Sequence, residues 1–283
     1  MHGTNTLKTV VLLGLLSGVL LVGGQAFAGR NGLYIGLALA VVMNFAGYFF
    51  SDKIALASYS AEPVSESENP EVYRRVGPLV RNLTQRMGLP MPKLWLIPED
   101  SPNAFATGRN PAHASVAFTV GILELMDNRE LEAVIAHELG HVLHRDILIS
   151  SVAATLAAAI ISSARMAFFF GGSRRDDDDR GGALGGILMI VLAPLAAMLI
   201  QMAISRTREY DADAASAKYT GTPHNMIAAL TKLESWSQRI PMEASPATAH
   251  MFIIKPFGGF SLGRLFSTHP STADRIARLQ AMR

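Results

Sequence analysis

Two long stretches near the N-terminus carry no charge, and a single arginine separates them. Thr9 to Gly29 and Asn31 to Ser51 flank Arg30. A bilayer core about 30 Å thick needs roughly 20 helical residues, and both stretches are that long. Two such helices in succession must bury against lipid or each other, so the chain begins as an apolar hairpin. A second pair follows. Ile147 to Ala164 meets Arg165 and continues to Phe170, and Gly181 to Ser205 is again uncharged. The uncharged part of the former reaches only roughly 27 Å as a helix, with Arg165 free to snorkel. This pair is therefore open to three readings: a membrane-crossing hairpin, a shallow one, or buried core helices. Gly182, Gly185 and Gly186 suit close packing of helices within a bilayer. Composition points the same way, with 17% charged residues against an ordinary ~25%.

Lys8, an apolar run and Ala26-Phe27-Ala28 also fit a signal peptide with a small-residue cleavage site. Either way, the chain after Lys53 lies on the same side of the membrane. Lys8, Lys53, Arg145, Arg206 and Arg208 flank the ends this places in the cytoplasm. Arg30, Arg174, Arg175 and Arg180 count against that orientation. The run Asp176 to Asp179 reads as a solvated turn. The expected organisation is an N-terminal hairpin (1–51), a first soluble part (52–146), a second hairpin (147–205) and a second soluble part (206–283).

The soluble parts read as mostly helical with a small sheet, an α+β class. Ser65 and Glu68 have capping-box spacing ahead of a helix over about 70–87, which Gly88 and Pro90 stop. Lys93 to Ile97 and Ser115 to Val120 read as strands, the latter with Val116, Phe118 and Val120 on one face. Residues 103–108 taken alone read as a turn after Ser101-Pro102. Asp127 with Glu130 caps a helix that can run on into the third apolar stretch. Helices are also expected over 206–219, from Thr222-Pro223 to about 239, and over 272–282, with 240–266 as loop.

The absence of cysteine excludes disulfides and thiolate metal sites, so any metal sits on His, Asp or Glu. A formal net charge of +2 and no basic run interleaved with aromatics exclude nucleic acid as a partner. Within the capped helix, His137-Glu138-Leu139-Gly140-His141 fits H-E-x-x-H. Positions i and i+4 share one helix face, so both imidazoles can reach one ion. Glu138, offset by about 100°, can approach a water on that ion without ligating it. A catalytic zinc needs a third protein ligand and an open fourth position. Glu209 is the candidate, with His144 a weaker rival. Asp213, four residues on, can accept the second ring N–H of His137. An even number of crossings between the two segments keeps Glu209 on the same side as His137.

At these residues the sequence resembles the HtpX family of membrane zinc metalloproteases, related to the CAAX prenyl endopeptidases. The resemblance covers nearly the whole chain. It rests on the hairpins, Asn103-Ala104-Phe105-Ala106-Thr107-Gly108, the H-E-x-x-H, Ser205-Arg206-Thr207-Arg208-Glu209-Tyr210-Asp211-Ala212-Asp213, and Thr268-His269-Pro270-Ser271. It implies a zincin-like catalytic domain in the bacterial inner membrane, holding one Zn2+ per subunit. That domain would face the cytoplasm and hydrolyse peptide bonds with a metal-activated water and Glu138 as general base. It implies that Asn103 and Ala104 lie on the edge strand that binds substrate, and that His269 and Arg275 stabilise the oxyanion. Substrates would be damaged or misfolded membrane proteins, as in a stress response. The residues alone also allow a non-catalytic zinc-binding scaffold; Glu138 argues against it, since a structural site has no need of that group. A transporter has thin support from Asn44, Arg165 and Gln201.

Overall fold

The computed structural model describes residues 2–153, 206–239 and 270–282. Most of the second apolar pair, the acidic run, the expected loop over 240–266 and His269 lie outside these residues.

Helical residues α1 (His2–Phe49) do not form one rod. Gly29 takes φ +56°, a conformation open to glycine without a Cβ penalty. Beyond it the chain returns along itself. A Cβ on Gly36 would collide with the Leu20 carbonyl, and one on Gly24 with that of Gly32. In a straight helix Leu20 and Gly36 would stand about 24 Å apart. Asn44 donates to Ser17 Oγ at 2.9 Å across the same seam. These contacts define the hairpin expected from the two uncharged stretches. Its second arm, Gly29–Phe49, is long and apolar enough to cross a membrane; the first has a shorter apolar run, Thr9–Val22. Val10, Val22, Ile35, Val41, Val42 and Phe45 face outward.

Helix α2 (Ser51–Ser58) leads into strand β1 (Glu62–Val64). Helix α3 (Pro70–Met87) follows, and its first residue is proline, where no amide is needed. The Ser65 hydroxyl does accept from the Glu68 amide at 3.0 Å, but as a turn ahead of the helix. Asn69, at φ +51°, is the residue that enters α3. Strands β2 (Lys93–Ile97), β3 (Ala104–Gly108) and β4 (Ala114–Thr119) complete a sheet of order β1-β2-β4-β3. β1 and β3 run antiparallel to their neighbours and β2 runs parallel to β4. β3 is thus an edge strand where the local sequence suggested only a turn; pairing with β4 decides it. Val120, expected to end the strand, starts the short helix α4 (Val120–Leu125), because Thr119 Oγ1 accepts from the Ile122 amide.

Helix α5 (Asn128–Leu143) carries the capping box expected from Asp127 and Glu130. It does not run on. Arg145 at φ +59° turns the chain, and residues 147–153 begin a new helix. After the undescribed segment come α6 (Arg206–Thr220), α7 (His224–Arg239) and α8 (Thr272–Gln280), the last capped by Ser271. The main core lies between one sheet face and α3, α5 and α7. Val116, Phe118, Val80, Leu83, Leu131, Val134, Ile135 and Leu230 are buried there. A smaller cluster of Ala55, Leu56, Ile97, Phe105 and Ala117 joins α2 to the opposite face.

Candidate metal centre

Glycine at position 140 sets the geometry of the site. A Cβ there would stand 3.1 Å from Ala212 Cα and 3.2 Å from Ala215 Cβ, so α5 and α6 meet almost backbone to backbone. Ser216 Oγ donates to the Ala133 carbonyl at 2.7 Å along the same contact. This docking carries Glu209 and Asp213, one turn apart on α6, over His137 and His141, one turn apart on α5.

Ligand atoms of His137, His141 and Glu209 lie within 4.8 Å of one another. The two Nε2 atoms converge on opposite oxygens of one carboxylate. His137 Nε2 stands 3.8 Å from Glu209 Oε2, and His141 Nε2 stands 3.6 Å from Glu209 Oε1. A tetrahedral zinc with bonds of about 2.05 Å separates its ligands by about 3.4 Å. The imidazole rings stand 4.9 Å apart at 90°. Two imidazoles and a carboxylate, buried and converging, fit a zinc ion that keeps one position open. Among the described residues His144 is not in this group; it ends α5, and its Nδ1 is buried without a hydrogen-bond partner.

Behind each imidazole lies a carboxylate. Asp213 Oδ1 is 2.9 Å from His137 Nδ1, and Asp146 Oδ2 is 3.1 Å from His141 Nδ1. Such partners fix which ring nitrogen faces the metal. The sequence reading reached Asp213 but missed Asp146. On a continued helix, position 146 would lie about 140° round from His141. The turn at Arg145 brings it back, and its amide bonds the His141 carbonyl at 2.9 Å. A non-glycine residue held in the left-handed region beside a site is the kind of local strain functional geometry demands.

Arg275, 1% exposed, reaches in from α8. Its Nε and Nη2 donate to the two oxygens of Asp213 at 2.8 and 2.6 Å. Nη1 stands 3.7 Å from Glu209 Oε2. This is not the solvent-facing residue that local sequence allows: the buried guanidinium lies against the carboxylates of Asp213 and Glu209.

Glu138 is buried, and its Oε2 accepts from the Ala106 amide of β3 at 2.9 Å. Burial pushes its pKa up, against the pull of the two histidines. For His141 burial acts downward, but Asp146 and the carboxylates of Glu209 and Glu138 outweigh it and lift it to about 9. For Asp213 burial acts upward, and the Arg275 guanidinium more than reverses it, holding the carboxylate charged. Asn103 immediately precedes β3, and its amide and carbonyl both engage Thr119. Along an antiparallel edge, alternate residues point their backbone groups outward. The outward amide of Ala106 therefore places the backbone groups of Ala104 on the free edge as well.

The family pattern described as Peptidase family M48 matches residues 66–283. A protein named Protease HtpX homolog from Desulfatibacillum aliphaticivorans is 50% identical over 99% of this chain and 90% of its own length. One of the same name from Syntrophobacter fumaroxidans is 50% identical over 97% of this chain and 98% of its own. Among solved structures, that of S. mikatae Ste24p shares the fold at a TM-score of 0.50 and 21% identity. The match covers 98% of this chain and 65% of that one. The chain belongs to peptidase family M48 and is a zinc metalloprotease of the membrane. The resemblance read from its motifs is borne out.

Proposed function

We propose that His137, His141 and Glu209 hold the zinc ion and that Glu138 is the general base and acid of an endopeptidase. The observation that carries this is the convergence of both Nε2 atoms on the Glu209 carboxylate, with Glu138 beside them. When bound, zinc supplies Lewis acidity, polarising a peptide carbonyl and easing the ionisation of water. The chain's own residues do the rest. Glu138 takes a proton from the attacking water and delivers it to the departing amine, and its raised pKa suits a carboxyl that must both accept and return a proton. Asp213 and Asp146 hold the imidazoles in register, and Arg275 holds Asp213. The edge of β3 at Ala104, with Asn103 just before it, binds an extended peptide by strand addition. The oxyanion role expected of His269 and Arg275 is part of this proposal, supported by the motif Thr268-His269-Pro270-Ser271 and by the place of Arg275 beside Glu209.

The proposed setting is the bacterial inner membrane, with the catalytic parts (52–146 and 206–283) on the cytoplasmic face and hairpins at 1–51 and 147–205. The direct packing of α6 on α5 supports an even number of crossings between them. Substrates are proteins, in line with the relatives' names as proteases; that they are damaged or misfolded membrane proteins is the proposal that the family resemblance suggests. The test is casein cleavage by the purified chain in detergent. Activity should vanish with a chelator and return with zinc. Cleavage that persists after full zinc removal would refute the assignment of the metal ligands.

A further inference from the structure

The end of the apolar hairpin and the end of the edge strand meet. Phe45, Tyr48, Phe49 and Phe50 close the second arm of α1 as an exposed aromatic cluster. Aromatic rings and flanking cations mark the headgroup level of a bilayer. Two cations lie on these rings. Lys53 Nζ is 5.5 Å from the centre of the Phe50 ring, and Arg109 Cζ is 5.4 Å from that of Phe49. Arg109 immediately follows β3. A second contact sets the direction of that strand. Backbone bonds carry α1 through Phe50 into α2: the Phe50 N–H donates to the Ala46 carbonyl and the Ile54 N–H to that of Phe50, both at 2.9 Å. Ala55 and Leu56 then pack on Phe105 of β3, and the Tyr59 ring stands 5.7 Å from that of Phe105. Helix rise puts Leu56 roughly 10 Å beyond Phe49, and strand rise puts Phe105 roughly 13 Å from Arg109. The two lengths match, so β3 descends beside α2 with its Gly108 end at the level of the aromatic cluster. The third apolar stretch starts from that same end. Ser151 Oγ lies 2.7 Å from Thr107 Oγ1 and accepts from the Gly108 amide at 3.3 Å.

We infer that β3 holds the cutting site at a short, fixed distance from the bilayer surface, so that the protease cuts membrane-anchored chains within a few residues of where they leave the lipid. This rests on the membrane setting and the substrate edge proposed above. Ala106, whose amide meets Glu138, marks the level of the metal. It precedes Arg109 by roughly 10 Å of strand. An extended peptide on that edge covers the same distance in about three residues. One end of the bound peptide points at the membrane, as in a chain that has just emerged from the bilayer. Arg109, at the lower end of the strand, is placed against lipid phosphates, since a cation beside an anionic leaflet is drawn to it. Nothing local in the sequence signals this. Arg109 reads as one polar residue between two strands, and only the packing of β3 on α2 brings it to Phe49.

The test places the full wild-type chain in vesicles of phosphatidylcholine and phosphatidylglycerol. Transmembrane peptides in the same vesicles carry one casein segment behind Gly/Ser spacers of about 4, 12 and 24 residues. A tether of about four residues spans roughly 11 Å, which suits the distance from Arg109 to Ala106. Cleavage should be fastest at the shortest spacer and about 15-fold slower at the longest, since effective concentration falls roughly as the −3/2 power of tether length. Rates independent of the spacer, a maximum at the longest one, or cleavage of casein with no cleavage of any anchored peptide would overturn the proposal. R109E puts a carboxylate at the headgroups. It should slow cleavage of the short-spacer peptide several-fold in vesicles and leave casein cleavage in detergent unchanged. Equal losses in both assays, or no loss in vesicles, would overturn the place given to Arg109 at the lipid. The spacer series decides even if R109E does not fold, because it needs no variant. A wild-type chain that cleaves neither the peptides nor casein would instead refute the peptidase reading itself.

Discussion

Nδ1 of His137 lies 2.9 Å from Oδ1 of Asp213, and the same carboxylate takes two hydrogen bonds from Arg275. An imidazole on α5, a carboxylate on α6 and a guanidinium on α8 are thereby locked in one line. Asp213→Asn keeps the shape but loses the charge that holds the ring proton on Nδ1. Zinc affinity should fall by about 10- to 100-fold with little loss of helix content. Wild-type affinity in this variant, by competition with a chromophoric chelator, would show that the line does not orient the ligand.

Removing Arg275 should cost more than removing an ordinary surface arginine. Arg275→Met leaves Asp213 buried with its charge unmatched, and breaking a buried pair on one side costs about 3–5 kcal/mol. The expected result is a Tm lowered by several degrees in the zinc-free protein, so that the effect is separate from metal loss. A change within 1 °C would contradict the burial and pairing described for this residue.

Gly140→Ala sets two effects of opposite sign against each other. Alanine is the better helix former by about 1 kcal/mol. Its Cβ would stand 3.1 Å from Ala212 Cα, which is backbone and cannot turn aside. Overpacking of this kind costs about 1–3 kcal/mol, and it pushes α6, with Glu209, away from the two histidines. Stability and zinc affinity should therefore fall together. A gain in stability with unchanged affinity would show that the α5–α6 contact is looser than described.

Zinc binding should depend on pH with a definite sign. A protonated imidazole cannot ligate, and His141 holds its proton up to about 9 in the metal-free protein. Apparent zinc affinity should rise roughly tenfold per pH unit from 7 and level off near 9. Metal-free stability should move the other way. A raised histidine pKa contributes stability that is full below about 6.5 and is lost as pH rises through about 9. Glu138, raised by burial, acts in the same sense. In EDTA, Tm should fall across this window, and a rising Tm would contradict the environment assigned to His141.

Features with a strong local cause were legible from the chain. Two uncharged stretches announced the hairpin, the Asp127–Glu130 pair announced the start of α5, and the i, i+4 histidines announced a shared face. Glu209 and Asp213 could be reached because their spacing repeats that pattern. What sequence could not supply depended on distant pairing. Residues 103–108 look like a turn until β4 lies beside them. Asp146 looks like one more helical residue until Arg145 adopts a positive φ. Arg275 looks like the polar face of a terminal helix until α8 packs its guanidinium under Asp213. Each of these is decided by tertiary contact, which overrides local preference.

In the proposed mechanism Glu138 moves the proton in peptide hydrolysis while His137, His141 and Glu209 hold the metal. The most direct measurement compares wild-type protein with Glu138→Gln in detergent, for zinc content and casein cleavage together. One zinc per chain is expected in both proteins, with a loss of turnover of at least about 100-fold in the variant. A variant that holds zinc and still cleaves casein near the wild-type rate would contradict it.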